Sequence, residues 1–242
     1  MLEKPVDLLL HSTRELNLNL TSKQIVQFDF YYRELIRWNN IINLTSITNY
    51  EQVQTKHFLD SLTAIPFIAQ NAPSKCRLLD IGSGAGFPGI PIKLLEPNYN
   101  VSLIESVGKK VDFLNYIIKT LELTNINVYN GRAEELAHQN DLRESFDIVI
   151  SRGVAKLQTL VELMLPYCLI GGVTIALKKG DVTKEIDKAS SAINILGGLT
   201  KSIDKVDIEH LKDNRLIVSI QKISHTPMKY PRKSGIPRKR PL

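Results

Sequence analysis

The sequence predicts an α/β protein organised on a seven-stranded, mostly parallel sheet, and three observations carry that prediction. From Cys76 onward, short apolar runs alternate with stretches of helical period, as parallel strands and right-handed crossover helices do. A turn holding Gly82, Gly84 and Gly86 directly follows the first run, where a chain leaving a strand must bend sharply beneath a ligand. The last two apolar runs, 200–208 and 216–223, have about seven residues between them. That is too few for a crossover helix, so they are expected to pair antiparallel and close the sheet.

The elements follow in order. Thr21 and Gln24 form a capping-box pattern, after which Ile25, Phe28, Tyr31, Leu35, Trp38 and Ile42 recur at steps of three or four. This predicts one long amphipathic helix whose aromatic stripe is core, ending at Asn43-Leu44-Thr45. A second helical stretch is expected over 50–67. Strands are expected at 77–81, 101–105, 126–129, 146–151 and 173–177. Helices are expected between and after them at 89–95, 109–123, 133–138, 157–166 and 183–196. The domain reading is an N-terminal helical extension over 1–74, packed on a Rossmann-like domain over 75–224, and then a basic tail over 225–242.

Composition narrows the class. Of 242 residues, 43% are hydrophobic and 23% charged, the balance of a globular chain able to bury a core. No apolar run is long enough to cross a bilayer, and the acids and His11 near the N-terminus do not suit a signal peptide, so the expectation is a cytoplasmic protein with no membrane partner. Cys76 and Cys168 stand far apart with no CxxC pattern, so neither a metal site nor a disulfide is expected. Residues 214–242 hold eight basic side chains and no acid, so the net charge of +6 becomes −2 over the remainder. The tail's Pro, Gly and charge content predicts a solvated segment that makes no packed core. One reading makes it an aid to solubility. The other makes Lys229, Arg232, Lys233, Arg238, Lys239 and Arg240, interleaved with Tyr230, an arm for nucleic-acid phosphates.

The most informative segment is Leu78-Leu79-Asp80-Ile81-Gly82-Ser83-Gly84-Ala85-Gly86-Phe87-Pro88-Gly89. Its glycines also satisfy the dinucleotide pattern GxGxxG, which keeps a nicotinamide-dependent oxidoreductase open as an alternative. A carboxylate at Asp80, ahead of the loop, suits a ligand with a cationic amino group better than a pyrophosphate. S-adenosyl-L-methionine fits that description, with Glu105 at the end of the second strand placed to accept its ribose hydroxyls. The bland alternative is that Asp80 and Glu105 are surface acids capping loops. Ala133-Glu134 after the third strand and Ser151-Arg152-Gly153 after the fourth open on the same sheet edge. An Asn- or Asp-Pro-Pro-aromatic motif for an exocyclic amine is absent, and neither cysteine is placed as a thiolate nucleophile for a pyrimidine carbon, both reading as core.

Asn43-Leu44-Thr45, His57-Phe58-Leu59-Asp60-Ser61, the 78–93 segment, Glu105 to Lys110, Gly131 to Leu136, Ser151 to Ala155 and a tail of the form YPRKxGxPxKxPL together resemble the RsmG family, also called glucose-inhibited division protein B. The resemblance covers about residue 20 to the end. It implies a class I S-adenosylmethionine-dependent methyltransferase fold. It also implies methylation of guanine N7 in 16S ribosomal RNA, within the small ribosomal subunit or its precursor. By motif position, Gly82, Phe87, Ala133, Glu134 and Arg152 match the family's cofactor-binding residues; Asp80, Gly84 and Glu105 are added from the physical reading. Gly153 stands where Ala is also common in the family, which leaves the assignments intact.

Guanine N7 has an in-plane lone pair and no proton, so methyl transfer to it needs alignment rather than a general base. Arg152 or Arg132 is expected to orient the base or its backbone, with Asn43, His57, Asp60 and Ser61 walling the site. His57 has an equal reading as a structural hydrogen-bonder. A ribosome-assembly or RNA-binding factor that keeps the fold without the chemistry is the other alternative. With no coiled-coil seam in the pattern, a monomer is expected.

Overall fold

The computed structural model describes residues 7–242, so the first six residues of the predicted extension lie outside the described residues. A helix not anticipated from the sequence, α1 (Asp7–Glu15), comes first. In α2 (Ser22–Ile42) the capping box closes as expected: Gln24 N donates to Thr21 Oγ1, and Thr21 N donates to Gln24 Oε1. Phe28, Tyr31 and Leu35 form the buried stripe of this helix.

The helix expected over 50–67 is instead broken into pieces. α3 (Tyr50–Val53) passes into a single π-helical turn at Gln54–Leu59, followed by α4 (Asp60–Leu62) and α5 (Ile65–Asn71). A π turn admits one residue more than the α repeat and is found mostly where side chains are re-aimed. Here it carries Lys56 and His57.

The sheet contains β1 (Arg77–Ile81), β2 (Asn100–Glu105), β3 (Ile126–Asn130), β4 (Phe146–Arg152), β5 (Cys168–Lys179), β6 (Gly198–Val206) and β7 (Arg215–Lys222). Their order is β3-β2-β1-β4-β5-β7-β6. β1 to β5 pair in parallel, and β7 inserts antiparallel between β5 and β6, the expected closing pair. The order reverses direction between β1 and β4, which places a crevice at their carboxyl ends.

Helices cover both faces. α6 (Gly89–Leu95) and α7 (Gly108–Thr120) share one core with α1–α5: Leu9, Phe28, Tyr31, Phe58, Ile90 and Phe113 all belong to it. The other core joins α8 (Ala133–Leu136), α9 (Leu157–Met164) and α10 (Thr183–Ile195) to the opposite face.

The tail corrects the sequence reading. Tyr230, Pro231 and Pro237 are buried, and a short helix, α11 (Ile236–Lys239), packs beside α9. The reason is a set of specific partners for its polar groups. Arg143 donates to the carbonyls of Thr226 and Tyr230, and Arg232 closes on the fully buried Glu162 carboxylate at 2.7–2.9 Å. No described helix is long and apolar enough to cross a membrane.

Candidate active site

A cleft of about 480 Å³ opens at the carboxyl ends of β1, β2, β3 and β4. Its floor is apolar, from Ile81, Ile104, Ala155 and Leu163, and Glu105, Arg132 and Glu134 bring charge to its walls. Gly82 turns the chain out of β1 at φ +72°, its N–H bonded to Ile104 O at 2.9 Å. A Cβ there would stand 2.5 Å from Val154 Cγ2, so glycine is what lets Val154 lie against the turn. Glu105, 6% exposed, accepts from Gly84 N at 2.9 Å and from Val107 N at 2.8 Å. It thereby ties the glycine turn to the β2 exit while lining the cleft. Ala133 and Glu134 line it from α8, and Arg132 sits exposed at that helix's N-cap.

Beside the cleft, two residues before its lining residue Val154, a cluster that we call its lip is assembled from residues distant in sequence. Arg152 Nη1, at the end of β4, donates to Asp60 Oδ2 at 2.9 Å and to Lys56 O at 2.8 Å, and its Nη2 lies 3.1 Å from His57 Nδ1. The guanidinium carbon stands 5.1 Å from the centre of the Phe87 ring, on which His57 stacks at 4.6 Å and 18°. His57 Nδ1 has two neighbours of opposite kind at 3.1 Å, the donor Arg152 Nη2 and the acceptor Lys56 O, and Nε2 lies 2.8 Å from Thr45 Oγ1, a hydroxyl that serves either tautomer. Burial, with Arg152 and Arg215 adding to it, holds the His57 pKa down at about 3, so the ring is neutral.

The N-terminal helices reach the glycine loop directly. Tyr31 OH donates to Ala85 O at 2.5 Å, and the Tyr31 ring stacks on Phe87 at 5.5 Å. Phe87 is thus buried between α2, the π turn and Arg152 rather than lining the cleft.

Two expected positions are corrected. Asp80 lies beneath the loop, 0% exposed, accepting from Gly89 N at 3.0 Å, because the strand turns its side chain toward the start of α6. Burial pushes its carboxyl up to about 7, against the Gly89 bond. Its side chain does not line the cleft, and its Oδ1 is buried without a hydrogen-bond partner among the described residues. Asn43 is an exposed left-handed cap of α2, φ 50°, its N–H donating to Asn39 O, and no contact with the Arg152 group involves it.

The residues missed from sequence are Thr45 and Arg215. Arg215 Nη1 shares Asp60 Oδ2 with Arg152, at 3.0 Å. A basic residue opening a strand gave no signal of a partner so far back in the chain. Ser61 is buried and donates back to His57 O at 2.6 Å, inside the turn. Both cysteines are buried, with thiols pushed up to about 12 by burial, which suits core residues. Among the basic tail residues, Arg232 is held by Glu162, a correction to its expected freedom for phosphate, whereas Lys229, Lys233, Arg238, Lys239 and Arg240 are exposed.

Comparison with known proteins identifies the family. Residues 24–216 match the GidB family model, described as rRNA small subunit methyltransferase G. The ribosomal RNA small subunit methyltransferase G of Lachnoclostridium phytofermentans is 47% identical over 234 residues, covering 95% of this chain and 94% of that protein. The same protein of Desulforamulus reducens is 45% identical over 231 residues, covering 96% and 95%. Among solved structures, M. jannaschii TYW2 in complex with AdoMet superposes with a TM-score of 0.52 at 16% identity, over 68% of this chain and 77% of that one. A likeness of that order shows the shared fold. The family match spans most of the chain and the relatives match along nearly their whole length, so the chain belongs to the GidB family of rRNA small subunit methyltransferases.

Proposed function

We propose that this chain transfers a methyl group from S-adenosyl-L-methionine to N7 of a guanine in 16S ribosomal RNA, acting as a cytoplasmic monomer on the small subunit or its precursor. The observation that carries the reading is Arg152, fixed by Asp60, Lys56 O and His57 at the lip of a cleft whose walls suit a nucleoside.

The residues present fit such a cofactor. Gly82 bares the backbone at one end, and Ala133 and Glu134 offer an apolar surface and an acceptor at the other. Each Glu105 oxygen accepts one backbone amide and keeps a lone pair for a ribose hydroxyl. When bound, the sulfonium supplies an electrophilic methyl group. What the protein must provide is alignment, because N7 carries a lone pair and no proton. His57 is suited to that. Neutral, with Nδ1 facing Arg152 and Nε2 facing Thr45 Oγ1, it is equipped to hold Arg152 rather than to move a proton.

Arg152 Nε makes no hydrogen bond among the described residues, which leaves it to donate to guanine O6 while N7 stays clear for transfer. Arg132, exposed on the cleft wall, is available to a phosphate of the RNA backbone. Family membership sets aside the nicotinamide reading.

The test is transfer of labelled methyl from S-adenosyl-L-methionine to small subunits from cells lacking this enzyme, with normal subunits as control. Label confined to the deficient particles and mapped to a guanine N7 is the expected result. Cofactor binding without label on either particle would replace this reading with the assembly factor.

A further inference from the structure

We infer that the C-terminal segment Ser234–Arg238 is a wall of the cofactor cleft, so that cofactor affinity depends on the tail and not only RNA affinity. The inference rests on the reading of this cleft as the cofactor site. Ser234, Gly235 and Arg238 line the cleft opposite the glycine turn, on the side built by Arg132–Glu134. They are held there from two helices. From α8, Glu134 accepts from Gly235 N at 2.9 Å and Glu135 accepts from Ser234 Oγ at 2.9 Å. From α9, Glu162 grips Arg232 through its N, Nε and Nη2, and Thr159 donates to Pro237 O at 3.2 Å.

Glu162 is the telling residue. It is a fully buried carboxylate, the single charged residue of α9, and its ion pair is with the tail. A buried charge requires such a partner, so the position of the tail is built into the core. His138 Nε2 meets Pro231 O at 3.0 Å and fixes the approach to the segment. Glu134 therefore has two roles: it lines the cleft, and it anchors the tail wall beside it. Gly235 adopts φ +81°, a conformation that a β-branched residue resists, so the segment depends on this glycine for its course.

The test uses two full-length variants and titration calorimetry with S-adenosylhomocysteine in the absence of RNA. Gly235→Val re-routes the segment while keeping every basic charge. Ser234→Glu sets a like charge against Glu134 and Glu135 at an exposed position. Both are expected to bind S-adenosylhomocysteine about tenfold more weakly or worse, a change of one decade in Kd. Thermal midpoints should fall by no more than about 5 °C, the scale of one left-handed non-glycine residue, and the RNA affinity of Gly235→Val should stay within about twofold, because its charges are intact. Affinity within about twofold of the parent in both variants overturns the inference. Absence of binding by the parent chain overturns the cofactor reading itself, and this inference with it.

Discussion

Arg152 and Arg215 converge on one oxygen: Asp60 Oδ2 lies 2.9 Å from the first and 3.0 Å from the second, with Asp60 only 2% exposed. One carboxylate thus sets the position of the guanidinium at the lip and ties it to the start of β7. Arg215 in turn is held by Asp213, at 2.8 Å, so the arrangement is braced from both sides.

Asp60→Asn is expected to leave two cations facing a neutral amide, costing about 3 kcal/mol of stability, as breaking a buried ion pair does. Denaturant titration checks this. Methyl transfer should fall at least about a hundredfold, the scale of a misplaced orienting group, while cofactor affinity is retained. Arg152→Lys should lose transfer likewise. One ammonium has no planar fork with which to hold Asp60, Lys56 O and His57 together.

The pH dependence of stability follows from Asp80 and His57. The Asp80 carboxyl is raised from 3.8 to about 7, so the folded state holds a proton the unfolded chain has released, and its contribution is lost as pH rises between those values. His57 is lowered from 6.5 to about 3, so the folded state binds fewer protons, and its contribution is lost as pH falls from 6.5. The two slopes oppose each other between about pH 4 and 6.5, each about 1.4 kcal/mol per pH unit. Asp80→Asn should unmask destabilisation toward acid, and His57→Asn destabilisation toward neutrality. Denaturant midpoints at pH 4.5 and 6.5 read both; two variants with parallel profiles would contradict the assignment.

Neutralising Lys229, Lys233, Lys239 and Arg240 together should weaken RNA binding and lower the slope of log K against log salt by about three. Arg232→Ala should behave differently. It strands the buried Glu162 charge and should cost about 3 kcal/mol of stability. Filter binding across a salt series, run beside thermal melts, separates the two outcomes.

Gly82→Ala should reduce cofactor affinity, since its Cβ drives Val154 away from the turn and incurs the left-handed backbone penalty of about 1–2 kcal/mol. Adding Val154→Ala should recover the part due to crowding and not the part due to φ. Calorimetric titration of both variants with S-adenosylhomocysteine distinguishes them.

Much of the scaffold was legible in the sequence because it is local. The strand periods, the Thr21 cap and the glycine turn each announce themselves within a few residues, and the seven-residue link between the last two strands predicted their antiparallel pairing. The lip was legible only as motifs. Nothing in the period of 50–67 shows a π turn, and the pairings of His57 with Thr45 and of Asp60 with Arg215 are products of folding. The tail was misread because its composition is that of a solvated segment. The corrective signal lay elsewhere in the chain: Glu162, the single charged residue in Leu157–Met164, needed a cation that only another segment could bring.

The π turn at Gln54–Leu59 makes this stretch intolerant of length variation in a way the loops are not. Deleting one residue within it would restore the regular α repeat with the flanking helices still in phase, so the extra residue and the re-aiming it provides would be what is lost. His57, inside the turn, would lose its facing relation to Thr45 and Arg152, while Asp60 beyond the turn would keep its own. Substitutions along this segment are absorbed one side chain at a time, whereas a single lost codon would uncouple His57 from Arg152 with every functional residue still in the sequence.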